Sequence, residues 1–285
     1  MGALERTVES LVVPGHPDFD VLERIKTEIL RKVGGEATLR HALPVLIRDA
    51  IDFVIDPVRT ARTRVQDLDN VEKTFVGLKV EHYFRDLLDV PKGLRDLRID
   101  GLDVDVKNTV GKTWMIPPET YQNTEPCLLI ATAEDAGRCW LGLLVAHPEY
   151  LNAPNRDQKR SLSRASFEHI LWVVNGLEFP ASRWQDIDME RFRELRKMKG
   201  GTRRAAEFFA ENINRPVHRS IIHALLFDQD DYMKRLRGNG GARDLLSKRD
   251  IILLSGAYDG ARVRASGLPH LETDEMMAIR KASLP

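Results

Sequence analysis

Apolar residues recur at helical spacing in three segments near the start of the chain. Over residues 20–32, Val21, Leu22, Ile25, Ile29 and Leu30 fall on one face of a 3.6-residue repeat. Over 38–53, Leu39, Leu43, Leu46, Ile47 and Ile51 do the same, and Asp56-Pro57 ends that helix. Over 69–88, Val71, Phe75, Leu78, Phe84, Leu87 and Leu88 supply the apolar face of a third helix, and Pro91 and Gly93 then break the chain. Between 94 and 110 the period changes. Two short alternating stretches flank Asp100-Gly101, a hairpin turn signal. The apolar runs at 127–132 and 139–146 are bounded by turn residues and predict further strands, whereas 163–174 predicts a helix. The opening 20 residues read as a loose arm. This first region is therefore of mixed α/β (α+β) class, helices around a sheet.

After Pro180 the pattern becomes charged and mainly helical. Segments 192–212 (interrupted at Gly200-Gly201), 216–227 (with Pro216 at an early position), 230–237 and 242–248 predict helices. Residues 238–241 form a loop, 251–254 a strand, and the tail beyond Leu271 has no assignable period. Short helices followed by a strand suggest a smaller, winged-helix-like C-terminal module. The division expected is 1–185 and 186–285, with the boundary falling between about 180 and 201.

Charge reinforces this division. The 285 residues carry 43 Lys plus Arg and 43 Asp plus Glu, so the whole is neutral. Between Arg191 and Arg249, however, there are 15 basic and 7 acidic residues, which leaves the remainder at −8. A basic module joined to an acidic one suits phosphate neutralisation, although a solvated charged surface has the same composition. No window is apolar enough to span a membrane, and the N-terminus makes a poor signal peptide. The two cysteines, Cys127 and Cys139, are too few for a disulfide framework or a four-cysteine zinc site. Their apolar surroundings predict buried reduced thiols in a cytoplasmic protein.

The candidate chemistry lies in LRDLRIDGLDVDVKNT. A period of two puts Asp103, Asp105 and Lys107 on one face of a strand, with Val104 and Val106 toward the core. A hairpin at Asp100-Gly101 would bring Asp96 back beside Asp105. Two carboxylates can hold a divalent metal, and hard oxygen ligands suit Mg²⁺. A lysine beside them can orient or deprotonate an attacking water and stabilise developing charge. Together these are the parts that phosphodiester hydrolysis requires. An acid-x-lysine strand is in most proteins a solvated face, so its neighbours matter: the preceding helix offers Glu81 toward the same place.

Three segments in order, KTFVGLKVEHYFRDLL, LRIDGLDVDVKNTVGKTWMIPPE and LLVAHPEYLNAPNRDQKRSLS, resemble the NaeI type of restriction endonuclease and, more distantly, the mismatch-repair nicking enzyme MutH. RPVHRSIIHALL and DDYMKRLR extend the resemblance into the basic C-terminal region. The resemblance implies a restriction-endonuclease core with a mixed sheet flanked by helices. It implies Asp96 and Asp105 as the catalytic aspartates, Lys107 as the lysine, and Glu81 as the helical glutamate, with the spacing from Glu81 to Asp96 one residue off. It also implies Mg²⁺, a homodimer on double-stranded DNA, a GC-rich palindrome such as GCCGGC, and a second domain that binds an additional DNA site and activates cleavage.

Further DNA contacts are expected from the polar segment Asn155, Arg156, Asp157, Gln158, Lys159 and Arg160, read as a loop between a strand and a helix. Its residue types can hydrogen-bond base edges. Lys112 can reach a phosphate. Arg215, His218, Arg219, Lys234, Arg235 and Arg237 sit near helix ends, where backbone contacts are made. His218 and His223 are five apart, a poor zinc spacing, and no phosphate loop, dinucleotide fingerprint or nucleophile elbow is present, so no nucleotide cofactor is expected. Three readings fit these features: a type II restriction endonuclease, a MutH-like nicking enzyme, and a non-catalytic winged-helix DNA-binding regulator.

Overall fold

The computed structural model describes residues 8–283. In chain order it contains α1 (Phe19–Val33), α2 (Glu36–Ile55), a single turn α3 (Pro57–Thr60), α4 (Asn70–Leu88), β1 (Leu97–Ile99), β2 (Leu102–Thr109), β3 (Met115–Ile116), the turn α5 (Pro118–Tyr121), β4 (Pro126–Ala133), β5 (Arg138–Val145), β6 (Leu151–Pro154), β7 (Arg160–Leu162) and β8 (Leu171–Glu178). There follow α6 (Met189–Lys197), α7 (Gly201–Glu211), β9 (Pro216–His218), α8 (Arg219–Leu225), α9 (Ala242–Ser247), β10 (Ile251–Ser255), α10 (Gly256–Ala265) and β11 (Glu275–Arg280). The chain forms two compact units. One runs to Asp56 and resumes over Arg62–Ser182; the other takes Pro57–Ala61 and continues from Arg183.

The first unit is built on a mixed five-stranded sheet in the order β1-β2-β4-β5-β8. The β2–β4 pair is parallel and the other three are antiparallel. β4 and β5 are central and apolar along almost their whole length, as strands covered on both faces must be. On one face Val104, Val106, Leu128, Ile130, Leu141 and Leu143 pack with Leu22, Ile25, Leu43, Ile47, Val76, Val80 and Phe84 of α1, α2 and α4. On the other, Cys127, Leu129, Ala131 and Leu144 pack with Trp114, Tyr121 and Phe167. That second face also carries the small sheet β3-β7-β6.

The N-terminal arm is less loose than expected. Its first seven residues lie outside the described residues, but Val12 is buried in the core and the Leu11 N–H donates to the Glu168 carbonyl at 2.7 Å. The helix expected over 163–174 is a short 3₁₀ turn (Ala165–His169) followed by β8. Leu171-Trp172-Val173-Val174 is aromatic and β-branched, and the free edge of β5 offers it a ladder. A short apolar run cannot by itself distinguish the two periods. Residues 155–160 consequently join two strands, β6 and β7, and not a strand and a helix. α4 also departs from its expected face. Val76, Val80, Phe84 and Leu88 are buried, whereas Val71, Phe75 and Leu78 are 66%, 54% and 43% exposed. The helix thus bears two apolar stripes on opposite sides.

The second unit packs α6, α7, α8 and α9 against the antiparallel sheet β10-β11-β9. The helix expected from 216 begins as the edge strand β9, which tolerates Pro216 because an edge strand can lack a donor. α8 starts only after His218, whose ring accepts from the Ser220 N–H. Segment 230–237 reduces to one 3₁₀ turn, Tyr232–Leu236, capped by Asp231. The unassigned tail supplies β11, the central strand. Between β10 and β11 lies α10, which begins at Gly256. A Cβ there would lie 1.7 Å from the Glu272 carbonyl oxygen, so only glycine fits.

Candidate active site

The β1–β2 hairpin turns on Asp100-Gly101, with Ile99 paired to Leu102 and φ of 48° and 78° at the two central residues. Positive φ at both positions is the primed turn whose twist matches its strands. The register pairs Leu97 with Val104, so Asp96 falls opposite Asp105. The Val106 N–H donates to Asp96 Oδ2 at 2.7 Å, and the Asp105 carboxylate lies close enough to perturb the Asp96 carboxyl.

Val104 and Val106 face the helical layer, which leaves Asp105 and Lys107 on the opposite side of β2. Asp105 is buried, 3% exposed, and its carboxylate has two side-chain partners besides Asp96. The Lys107 ammonium forms an ion pair with Oδ1 and lies 3.3 Å from the Val106 carbonyl oxygen. The Thr120 hydroxyl donates to Oδ2 at 2.6 Å. Thr120, itself wholly buried, belongs to no motif in the sequence and reaches the site because α5 folds back under β2.

Burial pushes the Asp96 carboxyl up to about 6. That value already includes the neighbouring Asp105, which adds to the rise, and the opposing pull of the Val106 N–H. Burial likewise drives the neighbouring Cys127 thiol well above its ordinary value, with the Asp105 charge adding to the effect. Cys127 is thus an inert core thiol, and both cysteines are free and buried. The paired aspartate oxygens fit a small hard cation: two carboxylates suffice for Mg²⁺, which keeps several of its waters, and a cation would relieve the charge that burial disfavours.

Glu81 is placed differently. It lies one turn beyond Gly77, whose backbone packs against Asn108 on the helical side of β2, and its ion-pair partner is Arg85 at 3.5 Å. Among the described residues no group of three or more His, Cys, Asp or Glu that could hold a metal is found. Asp103, on the face predicted to be catalytic, accepts from the Leu94 N–H at 2.5 Å and holds the approach to β1. Gly93 permits this, since a Cβ there would lie 2.2 Å from Asp103 Oδ1.

The other predicted contact residues divide into exposed and engaged groups. Lys112 is exposed in the turn after β2. Asn155 Oδ1 accepts from the Asp157 and Lys159 N–H groups, and Gln158 adopts a φ of 61°. The loop is tied to α5: Tyr121 OH donates to the Gln158 carbonyl at 3.0 Å, and the Arg160 guanidinium lies over the Tyr121 ring. Arg156, Asp157 and Lys159 are exposed. In the second unit Lys234, Arg235 and Arg237 are exposed. Arg215 donates to Asn212 and to the Asp186 carbonyl, His218 bonds Ser220 and Asp274, and Arg219 donates to Tyr232 OH at 3.2 Å.

Two comparisons bear on this arrangement. The family model for restriction endonuclease NaeI matches residues 39–284. The type II restriction enzyme NaeI of Lentzea aerocolonigenes is 31% identical over 247 residues, covering 82% of this chain and 76% of that enzyme. The family match runs through the hairpin, the five-stranded sheet and the second unit. The chain belongs to the NaeI restriction endonuclease family, and is a DNA-cleaving hydrolase.

Proposed function

We propose that this protein is a type II, site-specific endonuclease that hydrolyses phosphodiester bonds of double-stranded DNA with Mg²⁺. The observation that carries the proposal is the pairing of half-buried Asp96 with buried Asp105, with Lys107 beside them near the edge of a mixed sheet. Asp96 and Asp105 would hold the metal, which when bound neutralises the scissile phosphate and acidifies a water. Lys107, fixed between Asp105 and the Val106 carbonyl, orients the attacking water and counters charge developing on the phosphate. Glu81 takes a supporting role at most, since its carboxylate is engaged by Arg85.

Specificity is assigned to the loop carrying Asn155, Arg156, Asp157, Gln158, Lys159 and Arg160, with Lys112 on the phosphate backbone. Its position beside α5 supports this reading, because Tyr121 ties it to the element that also touches Asp105. The second unit is read as a winged-helix-like domain that binds an additional DNA site and activates cleavage. Its helices on a three-stranded antiparallel sheet support the architecture, and exposed Lys234, Arg235 and Arg237 supply phosphate contacts. Arg215, His218 and Arg219 serve mainly to hold that surface together. Two copies of the chain act together on a palindrome, and the exposed stripe of Val71, Phe75 and Leu78 on α4 supports a self-complementary contact. No helix among the described residues is long and apolar enough to cross a membrane, and the substrate places the enzyme in the cytoplasm.

The test is cleavage of plasmids bearing GCCGGC by wild type and Lys107→Ala, with and without Mg²⁺. Wild type should yield linear product only with metal, and Lys107→Ala should lose at least about 100-fold in rate. Equal cleavage by the variant refutes the assignment, and nicked circles alone would indicate a nicking enzyme. Faster cleavage of two-site than of one-site plasmids is expected from the activating role, and equal rates would remove it.

A further inference from the structure

We propose that Thr120 is a positioning residue: its hydroxyl fixes the rotamer of the Asp105 carboxylate and so sets the affinity of the centre for its divalent cation. This rests on the reading that Asp105 holds the metal. The Thr120 hydroxyl donates to Asp105 Oδ2 at 2.6 Å, and Thr120 is fully buried. With Oδ2 held by the hydroxyl and Oδ1 by the Lys107 ammonium, the plane of the carboxylate is defined from both ends. A carboxylate free to turn about its last bond would present its oxygens to a cation in many orientations and lose affinity accordingly.

The turn that carries Thr120 is itself fixed on several sides. Pro117 and Pro118 set the entry to α5. Arg95, the residue before Asp96, donates through Nη2 to the Glu119 carbonyl at 2.8 Å and through Nε to Glu125 at 2.7 Å. The Glu125 N–H returns to the Thr120 carbonyl at 3.1 Å, and the Tyr121 hydroxyl reaches the Gln158 carbonyl. A threonine that served only to fill the core would not need its turn anchored to the residue next to Asp96. The β-branched side chain adds a restricted χ1, so the hydroxyl has few other orientations.

Three variants of the full chain separate this role from simple packing. Thr120→Val keeps the shape and removes the donor; Thr120→Ser keeps the donor; Asp105→Asn is the control. Cleavage is measured across Mg²⁺ concentrations, Mn²⁺ binding by calorimetry, and metal-free melting by circular dichroism. We expect Thr120→Val to raise the Mg²⁺ concentration needed for half-maximal cleavage and to weaken Mn²⁺ affinity, each by about 10–100-fold, with Thr120→Ser close to wild type. Wild-type metal affinity in Thr120→Val overturns the proposal. So does a loss in Thr120→Ser equal to that in Thr120→Val, or a loss fully accounted for by lower melting. Should Thr120→Val melt below the assay temperature, Thr120→Cys, a weaker donor of similar size, carries the same comparison. If Asp105→Asn cleaves DNA and binds Mn²⁺ like wild type, the assignment of Asp105 itself has failed.

Discussion

Replacing Asp96 with asparagine should make the metal-free protein more stable while abolishing cleavage. Asp96 is drawn from 3.8 to about 6 by burial and by the adjacent Asp105. A carboxyl whose pKa is raised by folding opposes the folded state wherever it must ionise. The cost is absent below pH about 3.8, grows as pH rises, and is complete above pH about 6. A rise from 3.8 to about 6 corresponds to ~3 kcal/mol. Because Asp96 retains contact with solvent, screening reduces this to ~1–2 kcal/mol. Asparagine keeps an oxygen to accept the Val106 N–H and gains an amide that can donate to Asp105, so the hairpin loses no hydrogen bond.

The assay is thermal unfolding of both proteins in chelator at pH 8 and pH 4.5. At pH 8 the variant should melt about 2–8 °C higher. At pH 4.5 the advantage should fall to roughly a third, because the wild-type carboxyl is then largely protonated in the fold. Added Mg²⁺ should raise the melting temperature of wild type and leave the variant unchanged, since only wild type retains the paired carboxylates. A variant no more stable than wild type at pH 8 would refute the reasoning, as would a gain of equal size at both pH values.

Two further substitutions probe the frame around the site. Gly93→Ala should destabilise the protein by ~1–3 kcal/mol in urea titrations and lower cleavage in parallel, because its Cβ would meet Asp103 Oδ1 at 2.2 Å and the Leu97 carbonyl oxygen at 2.7 Å; an unchanged midpoint would show that the hairpin approach relaxes freely. Phe75→Glu, on the exposed stripe of α4, should shift sedimentation from two copies to one and reduce double-strand cleavage more than nicking; a variant that sediments like wild type places the contact elsewhere.

The hairpin was legible in the sequence because several local signals agree there. Asp100-Gly101 selects a primed turn, the flanking alternation sets its register, and register alone then places Asp96 against Asp105. Thr120 was not legible. Nothing local in Pro-Pro-Glu-Thr-Tyr indicates that this hydroxyl meets an aspartate fifteen residues earlier, since the contact depends on the parallel β2–β4 connection folding beneath the sheet. The same dependence on tertiary context misassigned 163–174, where the edge of β5 decides between helix and strand.

α4 shows the converse case, in which the sequence carries more than one reading. Its apolar residues satisfy two faces, and the stripe selected from periodicity alone mixes Phe84 and Leu88, which are buried, with Val71, Phe75 and Leu78, which are not. A helix that is apolar on opposite sides is under-satisfied by one layer of neighbours. Gly77 lets the backbone lie close to Asn108, which orients the inner stripe onto β2 and leaves the outer stripe exposed. Glu81 lies on this helix and pairs with Arg85, whereas Asp105 and Lys107 occupy the face of β2 opposite Val104 and Val106. Period alone therefore fixes which β2 residues share a face, but not which helix residues reach that face.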